Sequence, residues 1–256
     1  MKKRILFLAI LIISINSFGQ TLHVHKNDGN IISIDLSLIE KITFTIEDEN
    51  SFIDPRDGNV YKTVQIGEQV WMAENLAYLP DVDQVGPENG TEEPFYYVYG
   101  YNGTSVSEAK ASENYAAYGA LYNYYAAATA CPDGWHLSTD EDWFALEEEL
   151  GMTSNILSHG LRASGDVGKQ LKSTTGWFES GNGTNSSGFN ALPAGNVQTV
   201  ANGTRFNEIG EKALFWAPTD ESDPSCEMRY MQYDNDGIYR YVHAARYGLS
   251  VRCVKD

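Results

Sequence analysis

Basic residues are scarce in this 256-residue chain, and so are cysteine and histidine. Eighteen Lys and Arg stand against 35 Asp and Glu, a formal net charge of −17 at pH 7, which argues against nucleic acid and anionic membrane surfaces as partners. Three cysteines allow one disulfide with one thiol left over. The five histidines, His23, His25, His136, His159 and His243, accompany no Gly-x-Ser-x-Gly elbow and no His-Glu-x-x-His helix, so the common hydrolase signatures are missing. His23 and His25, two apart on an expected strand, read as an exposed strand edge. Beyond the first few residues no apolar run approaches the roughly 20 residues of a transmembrane helix.

What is present begins with an export signal. Lys2, Lys3 and Arg4 precede an almost wholly apolar run from Ile5 to Ile15, and Ser17-Phe18-Gly19 offers small residues before Gln20. Residues 1–19 therefore read as a cleavable signal peptide, which places the mature protein in the periplasm, at the cell surface or outside the cell, with no membrane span after cleavage. Loss of the three basic signal residues leaves 15 basic against 35 acidic residues, a charge of −20. Sixteen tyrosines amid many Gly, Asn and Ser suit a loop-rich extracellular domain and are side chains that recognition surfaces favour.

In an oxidising compartment two of Cys131, Cys226 and Cys253 are expected to pair. Cys131 opens the dense segment Cys131-Pro-Asp-Gly-Trp135 and Cys253 ends Ser250-Val-Arg-Cys253, whereas Cys226 sits in the polar stretch after Glu221. The expected disulfide is Cys131–Cys253, worth about 4–5 kcal/mol in the chain-entropy description of so long a loop. Cys226 has no Cys or His at metal-ligand spacing nearby.

Two folded units are expected. Residues 20–50 form a small β-rich unit with its linker: Leu22, Val24, Ile32, Ile34 and Leu36 alternate around Asn27-Asp-Gly-Asn30, and Ile42 to Ile46 reads as a further strand. Residues 52–256 form one larger domain. It opens with a hairpin around Gly67, passes through a long loop from Pro80 to Ser107, and then presents an expected helix from Tyr118 to Ala128, on which Leu121, Tyr125 and Ala128 share a face. A second helix follows Leu137: Ser138 or Thr139 caps it, Asp140, Glu141 and Asp142 suit its positive end, Trp143, Leu146 and Leu150 face inward, and Gly151 closes it. Glu147, Glu148 and Glu149 read as a solvated outer face. Later segments read as short strands, including Leu214 to Ala217, a hairpin of Met228–Tyr233 and Gly237–Val242 around Asp234-Asn-Asp-Gly237, and a last strand from Leu249. Asp234 and Asp236 are the weak candidates for a metal, because acids two apart before a glycine resemble the start of a calcium loop; Ala245 stands where its closing Glu belongs, and a plain turn is expected. Asp54, Asp57 and Asn59 read the same way. No cofactor is expected.

Six blocks, Asp57-Gly-Asn-Val-Tyr61, Trp71-Met-Ala-Glu-Asn-Leu76, Tyr118-Gly-Ala-Leu-Tyr-Asn123, Cys131-Pro-Asp-Gly-Trp135, Gly188-Phe-Asn-Ala-Leu-Pro193 and Ser250-Val-Arg-Cys253, resemble the Fibrobacter succinogenes major paralogous domain family in order and spacing. The resemblance covers nearly all of the chain after residue 54. It implies a secreted or surface protein of the kind found in Fibrobacter and Bacteroidetes. It also implies an α+β fold, a C-type lectin-like domain with short strands, two helices and long loops, whose last strand is disulfide-linked to an earlier segment. Ser138 stands where the family often has proline, and Leu214-Phe-Trp216 where paired tryptophans are common.

These readings favour a noncatalytic recognition module of the cell envelope, binding a glycan or an envelope protein, with Trp177, Trp216, Tyr230, Tyr239 and Tyr241 as candidate contact residues. Calcium-dependent sugar binding is disfavoured, since Glu-Pro-Asn, Gln-Pro-Asp and Trp-Asn-Asp are missing. A structural or adhesive envelope component is the alternative. The segment Leu137 to Trp143 also resembles a block of formylglycine-generating oxidases, but their copper site needs two neighbouring cysteines and Cys226 has none beside it.

Overall fold

A computed structural model describes residues 21–25, 31–35, 50–86, 92–154, 157–200, 203–219 and 226–256. The signal segment 1–19, the expected turn 27–30 and the expected strand 42–46 lie outside the described residues. The chain divides into two compact units, residues 1–47 and 48–256. In the first, strands β1 (Thr21–His25) and β2 (Ile31–Asp35) pair antiparallel with His23 opposite Ser33, as the alternation of Leu22, Val24, Ile32 and Ile34 predicts.

The second unit is mostly strand, with short helices. One sheet has the order β3-β4-β5-β15-β8, built from Ser51–Ile53, Val60–Ile66, Gln69–Met72, Cys253–Lys255 and Trp135–Leu137. A second has the order β12-β13-β14-β9, from Lys212–Trp216, Glu227–Gln232, Ile238–Val242 and Gly160–Arg162. Two small ladders complete it: β6 (Tyr96–Tyr97) with β7 (Leu121–Tyr122), and β10 (Asn196–Val200) with β11 (Gly203–Asn207). The described helices are α1 (Val106–Lys110), α2 (Glu113–Tyr118), α3 (Tyr124–Ala127), α4 (Asp140–Glu149) and α5 (Val167–Leu171).

The expected helix over 118–128 is not continuous. At Gly119 φ is +73°, and a Cβ there would stand 2.7 Å from the Leu76 carbonyl oxygen, so only glycine fits and α2 ends. Leu121 and Tyr122 extend to pair with β6, and the Asn123 side chain accepts from the Ala126 amide to start α3. Local breakers and strand pairing overrule the periodic pattern. Helix α4 forms where expected. Thr139 is its cap, in a reciprocal box with Asp142. Ser138 instead accepts the Trp143 indole N–H at 3.0 Å, while Trp143 and Leu146 are buried.

Five of the six blocks meet in one scaffold around Arg252 and Cys253. Cys253 is bonded to Cys131 with their Cα atoms 5.9 Å apart, and Val254 pairs with both His136 on β8 and Trp71 on β5. Arg252, fully buried, donates to Asn75 Oδ1 at 3.0 Å and to the carbonyls of Met72, Phe189 and Asn190, with its guanidinium over the Phe189 ring at 4.3 Å. Burial pulls its pKa down to about 9, so it stays charged at neutral pH. Asn75 in turn donates to the Tyr118 carbonyl and to Ser250 Oγ. Around this knot an aromatic core of Trp71, Trp143, Phe189 and Phe215 packs with ring centroids 5.3–5.8 Å apart. Each buried ring contributes about 1.5–3 kcal/mol by burial, with roughly 0.5–1.5 kcal/mol more per well-packed ring pair. These five blocks, which carry most of the family resemblance, are therefore architectural.

Candidate functional site

Strand alternation sorts the candidate aromatics. On one face of the four-stranded sheet, cross-strand register sets Leu214, Tyr230, Tyr239 and Leu161 in one row, and Trp216, Met228 and Tyr241 in the next. Exposure climbs along both rows. Leu214, Trp216 and Met228 are buried under the core, Tyr230 and Tyr239 are half-buried, and Leu161 and Tyr241 are 47% and 55% exposed. Four of the five candidates thus share one face, and three of them, Tyr230, Tyr239 and Tyr241, lie toward its open β14 and β9 edge.

The other two do not join them. Trp216 is 0% exposed, its indole N–H donating to the Tyr122 carbonyl at 2.8 Å and its ring edge-on to Tyr124. Trp177 is 5% exposed and donates to Ser173 Oγ. The sequence reading of both as contact residues is corrected: their polar handles are satisfied internally and their area belongs to the core.

The geometry of the three tyrosines sets what the face offers. Tyr230 and Tyr239 stack with centroids 4.2 Å apart and planes 5° from parallel, so each covers one face of the other. The Lys212 ammonium lies 5.5 Å from the Tyr230 ring and is itself paired with Glu208 at 2.5 Å. Burial pushes the Tyr230 hydroxyl up to about 12, with Tyr239 and Glu208 adding to it, so it remains a neutral donor. Asn235 Nδ2 donates to the Tyr239 hydroxyl at 3.3 Å. Tyr241 adds an open ring beside this stacked pair.

The opposite face of the same sheet holds groups that sequence reasoning missed. Arg229 and Arg240, opposite one another in register, point toward α4 with Arg162 of β9. Glu147, expected on a solvated face, is completely buried between Arg162 and Arg229, accepting from both. Asp140 forms an ion pair with Arg229 at 2.6 Å and accepts from Arg240 at 2.7 Å, and Arg240 also reaches Glu227 at 3.2 Å. Burial works to raise the Asp140 pKa, but Arg240 and Arg229 outweigh it and hold the carboxyl below its ordinary value. Phe144 lies beneath both guanidiniums, at 5.0 and 5.3 Å. The network reaches solvent at His159, whose Nε2 is 3.0 Å from Glu227. The one available signal was Arg229 inside the apolar run Met228–Met231, since a charge there needs buried partners.

Asp234 and Asp236 sit in the β13–β14 turn as expected. Their carboxylates face Asn235 Nδ2, Gln232 Nε2 and Lys169 Nζ. The carbonyls of Gln232 and Asn235 receive the buried ammonium of Lys172, at 3.2 and 2.8 Å. Asp54 is buried against the Arg56 guanidinium, and Asp57 accepts from the Asn59 amide. Among the described residues no group of three or more His, Cys, Asp and Glu side chains is placed to hold a metal ion. Cys226, assigned from sequence to a polar loop, is buried in the core with Met228 and Trp216.

The fold and its site define a disulfide-closed, strand-rich α+β domain that carries a tyrosine face on one sheet. Residues 64–255 match the Fibrobacter succinogenes major domain, and the chain belongs to that family. No curated protein and no solved structure matches it.

Proposed function

We propose that this is an exported, noncatalytic recognition module of the cell envelope, C-type lectin-like in fold, and that it meets its partner, a glycan or an envelope protein, on the tyrosine face of the four-stranded sheet. The observation that carries the proposal is the exposure gradient. The sheet is covered at β12 and open at β14 and β9, and its open part holds Tyr239, Tyr241 and Leu161 instead of the charged side chains that dominate a solvated strand face. This moves the expected contact surface from the loops to a sheet. Export is supported by the signal-like residues 1–19 and by the Cys131–Cys253 disulfide, which suits an oxidising compartment. No helix among the described residues is long and apolar enough to cross a membrane.

Leaving out a copper-dependent oxidase is supported by the cysteines: Cys131 and Cys253 are bonded to each other and Cys226 lies in the core. The alternative, a structural or adhesive component, is supported by the β1–β2 pair of the first unit, which gives the mature chain a second element with which to dock. Retention of the purified mature chain on isolated envelope material tests the proposal. Saturable retention that is lost in a Tyr239→Ala/Tyr241→Ala double variant is expected; retention unchanged in that variant refutes the site.

A further inference from the structure

Building on the recognition reading, we infer that the partner on the tyrosine face is an uncharged oligosaccharide, with one sugar ring stacked on Tyr241 and neighbouring hydroxyls hydrogen-bonded along Tyr239, Asn235 and Gln232. A peptide strand cannot add between the strands that carry this face: β13 is paired on both sides, by β12 and β14, and β14 by β13 and, over Ile238–Arg240, by β9, which leaves only the outer side of the three-residue β9 for pairing. Affinity at this face must come from side chains.

Those side chains combine one open aromatic ring with neutral hydrogen-bonding groups. Tyr230 is covered by Tyr239 on one side and approached by Lys212 on the other, so Tyr241 supplies the free ring. Beside it stand the Tyr239 hydroxyl, the Asn235 amide that touches it, and Gln232, which shares the face with Tyr230 two residues away. A flat apolar patch edged by amides and by the Asp234 carboxylate, which accepts from Gln232 Nε2 at 3.3 Å and Asn235 Nδ2 at 2.9 Å, complements a sugar ring, which has a C–H face and hydroxyls around its rim. The Cα atoms of Tyr239 and Tyr241 alone are about 7 Å apart along the strand, and the row continues to Asn235 in the turn, so the occupant is a chain and not a single ring.

Charge decides between sugar classes. An anionic polymer meets a chain of net charge −17. A basic segment gains little from Glu208 beside Tyr230, already neutralised by Lys212 at 2.5 Å, and would meet Asp234, which already accepts from Gln232 and Asn235, as its one acidic partner among the groups named at this face. Neutral sugars escape both costs, and binding that depends on rings and amides is insensitive to salt and to chelators.

The test uses the full mature chain in calorimetric titrations with uncharged gluco-, xylo- and manno-oligosaccharides, with oligogalacturonate as an anionic sugar and oligolysine as a cationic peptide. The expected result is saturable binding of at least one uncharged series, unchanged by EDTA. Tyr241→Ala should weaken it by about tenfold or more, and Tyr241→Phe by no more than about twofold. Circular dichroism of both variants should match the parent, since this ring is largely in solvent. Binding confined to oligogalacturonate or oligolysine overturns the uncharged-sugar inference and leaves the recognition reading standing. Uncharged sugar binding that Tyr241→Ala does not move overturns the placement. If no oligosaccharide binds while envelope material is still retained, the ligand class is overturned alone; if neither binds, the recognition reading falls with it.

Discussion

The two faces of the β12-β13-β14-β9 sheet come from alternate residues of the same strands, yet they end in opposite conditions. Toward α4, burial persists to the β9 edge: Phe215 and Arg229 are inaccessible, as are Ile238 and Arg162, and Arg240 is largely covered. On the reverse face burial gives out between Met228 and Tyr241. The closed face is held by charges with specific partners, and the open one by rings that stack on each other. Ion pairs out of water demand complete partnering, whereas a tyrosine tolerates water at one end and apolar contact at the other. That asymmetry lets one face serve as foundation and leaves the other available for contact.

The sharpest way to break the comparison is Glu147→Ala. It leaves Arg162 and Arg229 buried beside a lost carboxylate, and Asp140 remains the only partner for Arg229 and Arg240 on that helix. Removing one member of a buried ion network costs about 3–5 kcal/mol. For a unit of this size that lowers Tm by roughly 6–20 °C. Calorimetry or urea unfolding reads the loss. A change below about 1 kcal/mol would mean that the closed face is no more committed than the open one.

How far the two faces were legible in sequence follows from the same physics. Turns and caps could be read because their chemistry is local: Gly67 and Asp234-Asn-Asp-Gly237 turn hairpins where expected, and Thr139 with Asp142 starts α4. Cys131 and Cys253 pair as their patterned surroundings suggested. Tyr230, Tyr239 and Tyr241, picked out as aromatic rings, share a face because they lie in cross-strand register or two apart on the expected hairpin strands. The ion network was not, since Glu147 in a run of three glutamates looks like a wet helix face until β9 and β13 bring arginines to it. Trp177 and Trp216 were misjudged for the matching reason. A tryptophan in sequence does not say which neighbour takes its N–H, and here Ser173 and the Tyr122 carbonyl do. The 118–128 segment failed because its helical spacing is interrupted by a glycine that contacts Leu76.

A smaller effect, lying outside both faces, shows whether the scaffold moves with them. On β8, His136 stands between two carboxylates, with Nδ1 2.7 Å from Asp256 Oδ1 and Nε2 3.0 Å from Asp142 Oδ2. Burial acts to lower its pKa, but hydrogen bonds to Asp256 and Asp142 outweigh that and raise it above the ordinary 6.5. A raised folded-state pKa gives stability that is fully present below the unfolded value and is lost as pH rises through the folded one. Stability should therefore decline from about pH 6.5 upward, by a modest amount because the ring is partly solvated. Urea midpoints across pH 5.5–9, flattened in His136→Asn, check this. An equal slope in the variant would assign the pH dependence elsewhere.

The smallest expected effect on stability is the most informative about the open face. Tyr241→Ala removes a ring that is 55% exposed, sits opposite Met228 and stacks on no other aromatic among the described residues, so its contribution to folding is slight. The expected change is within about 0.5 kcal/mol, the ordinary range for surface substitutions. Tyr239→Ala serves as the contrast, because it dissolves the 4.2 Å stack with Tyr230 and should cost about 0.5–1.5 kcal/mol for the ring pair beyond the area lost. Urea unfolding of the two variants side by side gives the ordering. If Tyr241→Ala proves as destabilising as Tyr239→Ala, then Tyr241 is packing that merely looks exposed, and the face has no ring to spare for a partner. If it is neutral, the fold holds a large aromatic side chain in water with no return in stability, and the ring is free for contact outside the chain.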